Sequence, residues 1–247
     1  MYVRFRGPVV LAGSAISLII LLAVVAKRPQ LAPVAAVAAR PAKPVPVAAP
    51  KASRVQPDAG FLDPKTGAMA AYRSGDYVSA LERYRQAVSR NPNDADSLNN
   101  LGQLLARNGD PAAAIPYLQK AVQLYPSVWA YRFNLAHARG RLGDWSQAAD
   151  DYRHARTLFP EDYVTQFNLG MALHKLGDEE AAIHEFRKGA ELAPSEPSFL
   201  MAIATSYERL NRLEEAIKAY EQYVALSPPG PDVDKVKTRI EALRKPA

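Results

Sequence analysis

The chain has 247 residues, no cysteine and a formal net charge of +6. The lack of cysteine excludes disulfides, thiolate metal sites and a lipid-modified N-terminal cysteine. The charge is unevenly placed. Residues 1–60 hold eight basic side chains (Arg4, Arg6, Lys27, Arg28, Arg40, Lys43, Lys51, Arg54) against Asp58 alone, which leaves 23 of the 31 basic and 24 of the 25 acidic residues to balance one another in the rest. A phosphate-tracking surface needs a clustered basic excess, so no nucleic-acid partner is expected.

Residues 1–8 form a short tail, and residues 9–26 read VVLAGSAISLIILLAVVA without a charge. At 1.5 Å per residue a helix of this length covers roughly 27 Å, about the thickness of a bilayer core. We expect a single transmembrane signal-anchor helix, because the apolar run is longer than that of a cleaved signal. Cleavage after Val24-Val25-Ala26, releasing a secreted or periplasmic adaptor, stays open as an alternative, as does a helix buried in a soluble core. Arg4 and Arg6 favour a cytoplasmic N-terminus with the bulk of the chain periplasmic or extracytoplasmic, although Lys27 and Arg28 weaken the asymmetry. Residues 27–60 are rich in Pro, Ala and Val, and Pro29, Pro33, Pro41, Pro44, Pro46, Pro50 and Pro57 oppose helix and sheet. A disordered, semi-rigid linker is expected, with a reach on the order of 100 Å when extended.

From residue 61 the chain keeps a period of 34. Gly75-Asp76, Gly109-Asp110, Gly143-Asp144 and Gly177-Asp178 mark one series, and Asn211-Arg212 falls where a fifth pair would be. Pro92, Pro126, Pro160, Pro194 and Pro228 mark a second series in step with it. Two helices fit between the marks of each unit. In the second unit Leu98, Leu101 and Leu105 share one face of the first helix, and Ala114, Leu118, Ala121 and Leu124 share one face of the second. Gly109 suits the left-handed residue past a helix end, Asp110 the next N-cap and Pro111 the first turn. Such units cannot bury an apolar face alone and must stack.

This pattern resembles the tetratricopeptide repeat family. The unit from Tyr163 carries Leu169-Gly170, Leu173, Ala182, Phe186 and Pro194; that from Trp129 carries Leu135-Ala136, Ala148, Tyr152, Ala155 and Pro160. The unit from Ala95 has Leu98, Leu101-Gly102, Leu105, Ala114, Leu118, Ala121 and Pro126. The first unit keeps Ala68, Ala80, Tyr84, Ala87 and Pro92, and the fifth keeps Ile203-Ala204, Tyr207, Ala216, Tyr220 and Pro228. Arg132, Arg139 and Gln166 depart from bulky positions, Gly189 and Tyr223 from alanine positions, and Pro64 and Gly67 weaken the opening helix of the first unit. The resemblance implies an all-α fold: a right-handed solenoid of five helix-turn-helix units at 61–94, 95–128, 129–162, 163–196 and 197–230. Residues 231–247 follow as a capping helix and tail, with Val233, Val236, Ile240 and Leu243 on one stripe.

The resemblance further implies that the first helices line a concave groove for a protein or peptide. The candidate groove residues are Asn99, Asn100, Gln103, Phe133, Asn134, His137, Phe167, Asn168, Met171, His174 and Met201. Phe133, Phe167 and Met171 stand out, because an apolar patch exposed there marks an interaction site. Asn100, Asn134 and Asn168 recur at the period and would hold a peptide main chain or bridge backbone. Arg73, Arg107, Arg141, Lys175 and Arg209 form a basic row, which either meets a ligand or complements helix ends. Some members of the family clamp a C-terminal carboxylate; Lys65 and Asn100 match that set, but Met69, Ala130 and Asn134 replace the rest, so a clamp is not expected.

Signals for chemistry are weak. His184-Glu185 opens a zinc-protease motif, but Lys188 stands where the second histidine belongs. Lys65-Thr66-Gly67 has no Ser-x-x-Lys companion. No enzyme activity, cofactor or metal is expected. The expectation is a membrane-tethered scaffold that binds a protein or peptide segment and assists assembly or localisation of an envelope complex; the alternative is a regulatory subunit of an enzyme system.

Overall fold

The computed structural model describes residues 63–245. Among them are eleven α-helices and no strand. They follow one another as α1 (Pro64–Arg73), α2 (Tyr77–Arg90), α3 (Ala95–Arg107), α4 (Pro111–Leu124), α5 (Trp129–Leu142), α6 (Trp145–Leu158), α7 (Tyr163–Leu176), α8 (Glu179–Leu192), α9 (Ser198–Arg209), α10 (Leu213–Leu226) and α11 (Pro231–Arg244). The expected membrane span 9–26 and linker 27–60 lie outside the described residues. Among the described residues, no helix is long and apolar enough to cross a membrane.

The 34-residue beat is a beat of turns. Gly75, Gly109, Gly143 and Gly177 all have φ between 82° and 93°, in the left-handed region, and Asn211 takes the same role at φ 57°. Only glycine, and less readily asparagine, enters that region without strain. The aspartates that follow cap the second helices: Asp76 accepts from the Ser79 N–H, Asp110 from Ala113 and Asp178 from Ala181. Asp144 occupies the cap position but accepts no such bond.

Each helix packs on its partner within a unit and then on the next unit, and the first helices α3, α5, α7 and α9 touch in succession. The close approach rests on small residues. Ala80, Ala114, Ala148, Ala182 and Ala216 are completely buried. A Cβ on Gly170 would lie 2.5 Å from Phe186 Cε1, and one on Gly102 2.5 Å from Leu118 Cγ, so the glycine and the large side chain opposite it require each other. Gly189, which replaces the usual alanine, leaves room for Phe199 of the following unit. The first unit is better formed than its proline implies. Pro64 sits in the first turn of α1, where a missing N–H costs nothing, and Asp63 caps that turn through the N–H groups of Lys65 and Thr66. At the other end Val233, Val236 and Ile240 of α11 are buried against α10, while Arg239 pairs with Glu208 and Arg244 with Glu221.

The third unit solves its two missing bulky residues with charge. Asp151 of α6 is buried, with Arg132 at 3.6 Å and Arg139 in direct hydrogen-bond contact, both from α5. Burial raises the Asp151 pKa and outweighs the two guanidiniums that lower it. In the fourth unit the corresponding acid, Glu185, binds Arg156 of the unit before.

Candidate peptide-binding face

The face predicted to receive a ligand is carried by α3, α5, α7 and α9. Residues four apart on one helix share a side. On α5 that side presents Phe133, His137 and Arg141, on α7 Phe167, Met171 and Lys175. The expected apolar patch does not form. Phe167 is 1% exposed, with its ring 5.6 Å from Phe186 and 5.4 Å from Phe199, and Met171 and Met201 are buried as well. These three are core, and Phe167 is covered by Phe199 of the following unit. Phe133 is half-buried, edge-on to Trp129 and Tyr152, and Trp129 in turn stacks on Phe159. Gln103 and His137 are half-buried.

The asparagines mostly serve one another. Asn134 Nδ2 donates to Asn99 Oδ1 at 2.8 Å, Asn99 Nδ2 to Asn100 Oδ1 at 3.3 Å, and Asn100 Nδ2 to Tyr84 Oη at 3.2 Å. This chain of amides ties α2, α3 and α5 together, and Asn99 at its centre is completely buried. Asn168 turns back on its own helix and donates to the Val164 carbonyl at 2.8 Å. A buried amide left without a partner costs roughly 1–3 kcal/mol, so these donors are spent inside the protein and not on a peptide main chain.

Two polar clusters bridge neighbouring units. Lys65 Nζ lies 2.8 Å from Asp94 and 3.2 Å from Asp96, and Asp96 also accepts from Tyr131 Oη at 2.6 Å. Burial works against the Lys65 charge, but the hydrogen bonds to Asp94 and Asp96 outweigh it and raise its pKa. Burial likewise opposes the Asp94 charge, and the bonds from Lys65 and Ser97 outweigh it and lower its pKa. Lys65 is therefore already engaged by two carboxylates, which removes the one clamp lysine that the sequence retained.

The second cluster centres on His174. Its Nδ1 is 2.7 Å from Glu179 Oε2 and 3.3 Å from Ser206 Oγ; its Nε2 is 3.2 Å from Arg209 Nη1. Arginine has only donors. Nε2 must then accept, Nδ1 must carry the proton, and the imidazole is neutral. Burial lowers the His174 pKa below 6.5, and Arg209 and Lys175 push the same way, against the pull of Glu179. Arg209 also donates to the His174 carbonyl at 2.9 Å and stands 2.9 Å from Glu179 Oε1, an ion pair without hydrogen-bond alignment.

A model of the tetratricopeptide repeat matches residues 66–128, 133–197 and 175–231, more than half of the chain. The chain belongs to the tetratricopeptide repeat family. Solved structures agree on the fold. A crystal structure of MamA is 22% identical with a TM-score of 0.62, covering 69% of this chain and 96% of that one. A second crystal structure of MamA protein gives 21% and 0.64 over 68% and 96%. MamA 41-end from Desulfovibrio magneticus RS-1 gives 19% and 0.62 over 64% and 90%. No curated protein matches the chain in sequence. Tetratricopeptide stacks are protein–protein interaction scaffolds, and that is the coarse function of this chain.

Within this tetratricopeptide array the basic row splits. Arg107 donates to Tyr72 Oη at 3.0 Å and lies over the Tyr77 ring at 4.9 Å, and Arg209 is held by His174 and Glu179. Arg73, Arg141 and Lys175 are exposed, and they make no hydrogen bond or ion pair among the described residues. Periodicity found the row but not its division, because each partner comes from the preceding unit. Glu179, Ser206 and Asp151 were missed altogether. A usable signal existed for Asp151: Arg132 and Arg139, one turn pair apart, both replace bulky residues in the unit that contains it.

Proposed function

We propose that this chain is a membrane-tethered scaffold whose repeats hold a protein or peptide segment against the face of α3, α5 and α7, assisting assembly or localisation of an envelope complex. The observation that carries the reading is that face itself. Gln103, Phe133 and His137 are half-exposed on it and Arg141 and Lys175 are exposed, while Phe167, Met171, Met201 and the Asn99–Asn134 pair are buried. The tether rests on the uncharged run 9–26, and the linker 27–60 gives the repeats reach. The role is non-catalytic: the polar clusters join helices of neighbouring units and hold their titratable groups in hydrogen bonds to one another.

The test is selection of ligands from a displayed library of peptide segments on the full-length chain in detergent, followed by rebinding to Gln103→Ala and Phe133→Ala variants. Selected segments should lose affinity for both variants. Segments that rebind undiminished would place the binding surface elsewhere. Fractionation with N-terminal sequencing tests the tether, and a mature chain beginning at Lys27 would replace it with a released adaptor.

A further inference from the structure

The repeats are controls for one another. In two of the four first helices α3, α5, α7 and α9, the cation near the helix end contacts the residue 35 positions earlier, in the preceding unit. Tyr72 fills that place for Arg107, and His174 fills it for Arg209. For Arg141 and Lys175 the same places are Ala106 and Gly140, which have no side-chain polar atom. Gly140 is held at that size by its neighbour: a Cβ there would lie 3.1 Å from Trp145 Cζ3 and 3.6 Å from Cε3. Asp144 and Asp178, three residues beyond the two cations, form no ion pair with them, Asp178 capping α8 instead, and the buried acids Glu179 and Asp151 are held by His174 with Arg209 and by Arg132 with Arg139. Helix dipoles favour a cation at all four positions, since each lies in the last turn of its helix. They do not account for two neighbours being held and two being left without a partner.

Resting on the scaffold reading above, we infer that the middle of the face, at Arg141 and Lys175, receives an extended protein segment bearing carboxylates. Packed helices lie about 8–10 Å apart. A chain in the polyproline II conformation has three residues per turn and rises about 3.1 Å per residue, so acids three residues apart share one side, span about 9 Å and meet both cations. Arg141 offers a fork for bidentate binding and Lys175 a point charge. Both are exposed, so the contact is screened by salt and moderate in strength.

The experiment uses fluorescence anisotropy on the full-length chain in detergent. The probe is a labelled peptide with glutamate at every third position; its glutamine counterpart and a single-stranded oligonucleotide serve as comparators. The glutamate peptide should bind, weaken about tenfold in the Arg141→Ala/Lys175→Ala double variant, and weaken again as salt rises past the screening range. Lys188→Ala, an exposed basic residue on α8, should leave binding unchanged. Circular dichroism melts of the double variant establish that it is folded. Equal binding of the glutamine peptide, or equal loss in Lys188→Ala, would overturn the carboxylate inference while leaving the scaffold reading intact. Tighter binding of the oligonucleotide would overturn it in favour of phosphate. Absence of binding by either peptide would overturn it too, and the scaffold reading then stands or falls on the library-selected segments alone.

Discussion

The neutral His174 makes the junction of the fourth and fifth units sensitive to acid. Its Nε2 accepts from Arg209 Nη1 at 3.2 Å, so a second ring proton would set donor against donor. The residue is 6% exposed, and burial together with Arg209 and Lys175 lowers its pKa below 6.5. The unfolded chain therefore binds this proton more readily than the folded one. The stabilising contribution is complete above about pH 6.5 and is lost as pH falls through the lower folded value. The slope is at most about 1.4 kcal/mol per pH unit for one proton. Below about pH 5 the carboxylates add their own dependence. Urea denaturation of wild type and His174→Gln, compared at about pH 8 and about pH 5.5, isolates the histidine because the carboxylate background is common to both. Wild type should lose more stability than the variant, and hydrogen exchange should place the loss in α9 to α11. Equal losses in the two proteins would refute the neutral-tautomer reasoning.

The same cluster sets the effect of Glu179→Ala at neutral pH. The substitution removes the 2.7 Å acceptor of a buried imidazole Nδ1–H and leaves it only the longer 3.3 Å approach to Ser206 Oγ, which costs about 1–3 kcal/mol. Its coupling to Arg209 is discounted, since that side chain is 48% exposed. Glu179→Gln keeps an acceptor for Nδ1 and should retain most of the stability. A Gln variant as unstable as the Ala variant would assign the effect to charge rather than to the hydrogen bond.

Three further outcomes are expected. Gly170→Ala places a methyl 2.5 Å from Phe186 Cε1 and should lower stability by about 1–3 kcal/mol in a thermal melt, with Phe186→Leu in the same chain recovering part of the loss. Asp110→Ala removes a cap and should cost about 1 kcal/mol, whereas Asp144→Ala should change the melting temperature little, because Asp144 makes no capping bond. Pro116 lies on the exposed side of α4, inside the helix, so Pro116→Ala should stabilise the chain by about 1–3 kcal/mol in urea titration.

The punctuation of this fold was legible because it obeys local rules. A glycine at φ 93° and an aspartate that caps the third residue beyond it need no knowledge of the neighbouring helix, so Gly109 and Asp110 could be placed from spacing alone. The candidate face was legible as a set of positions and not as a surface. Phe133 and Phe167 stand 34 residues apart at equivalent places, yet one is half-buried and the other fully so, because Phe199 covers Phe167. Arg107 and Arg141 are equivalent in the same way, and Tyr72 against Ala106 separates a held cation from an exposed one. In both cases the deciding residue lies in an adjacent unit, so periodicity within one unit carries no information about it. A repeat protein conserves its fold through what every unit shares, and it diversifies its surface through mismatches between units. The informative comparison along such a chain is between a residue and the one 35 positions away that touches it, rather than the one 34 positions away that resembles it. On that criterion the pairs Ala106–Arg141 and Gly140–Lys175 are where this array is least like itself, and where an external ligand has the most to gain.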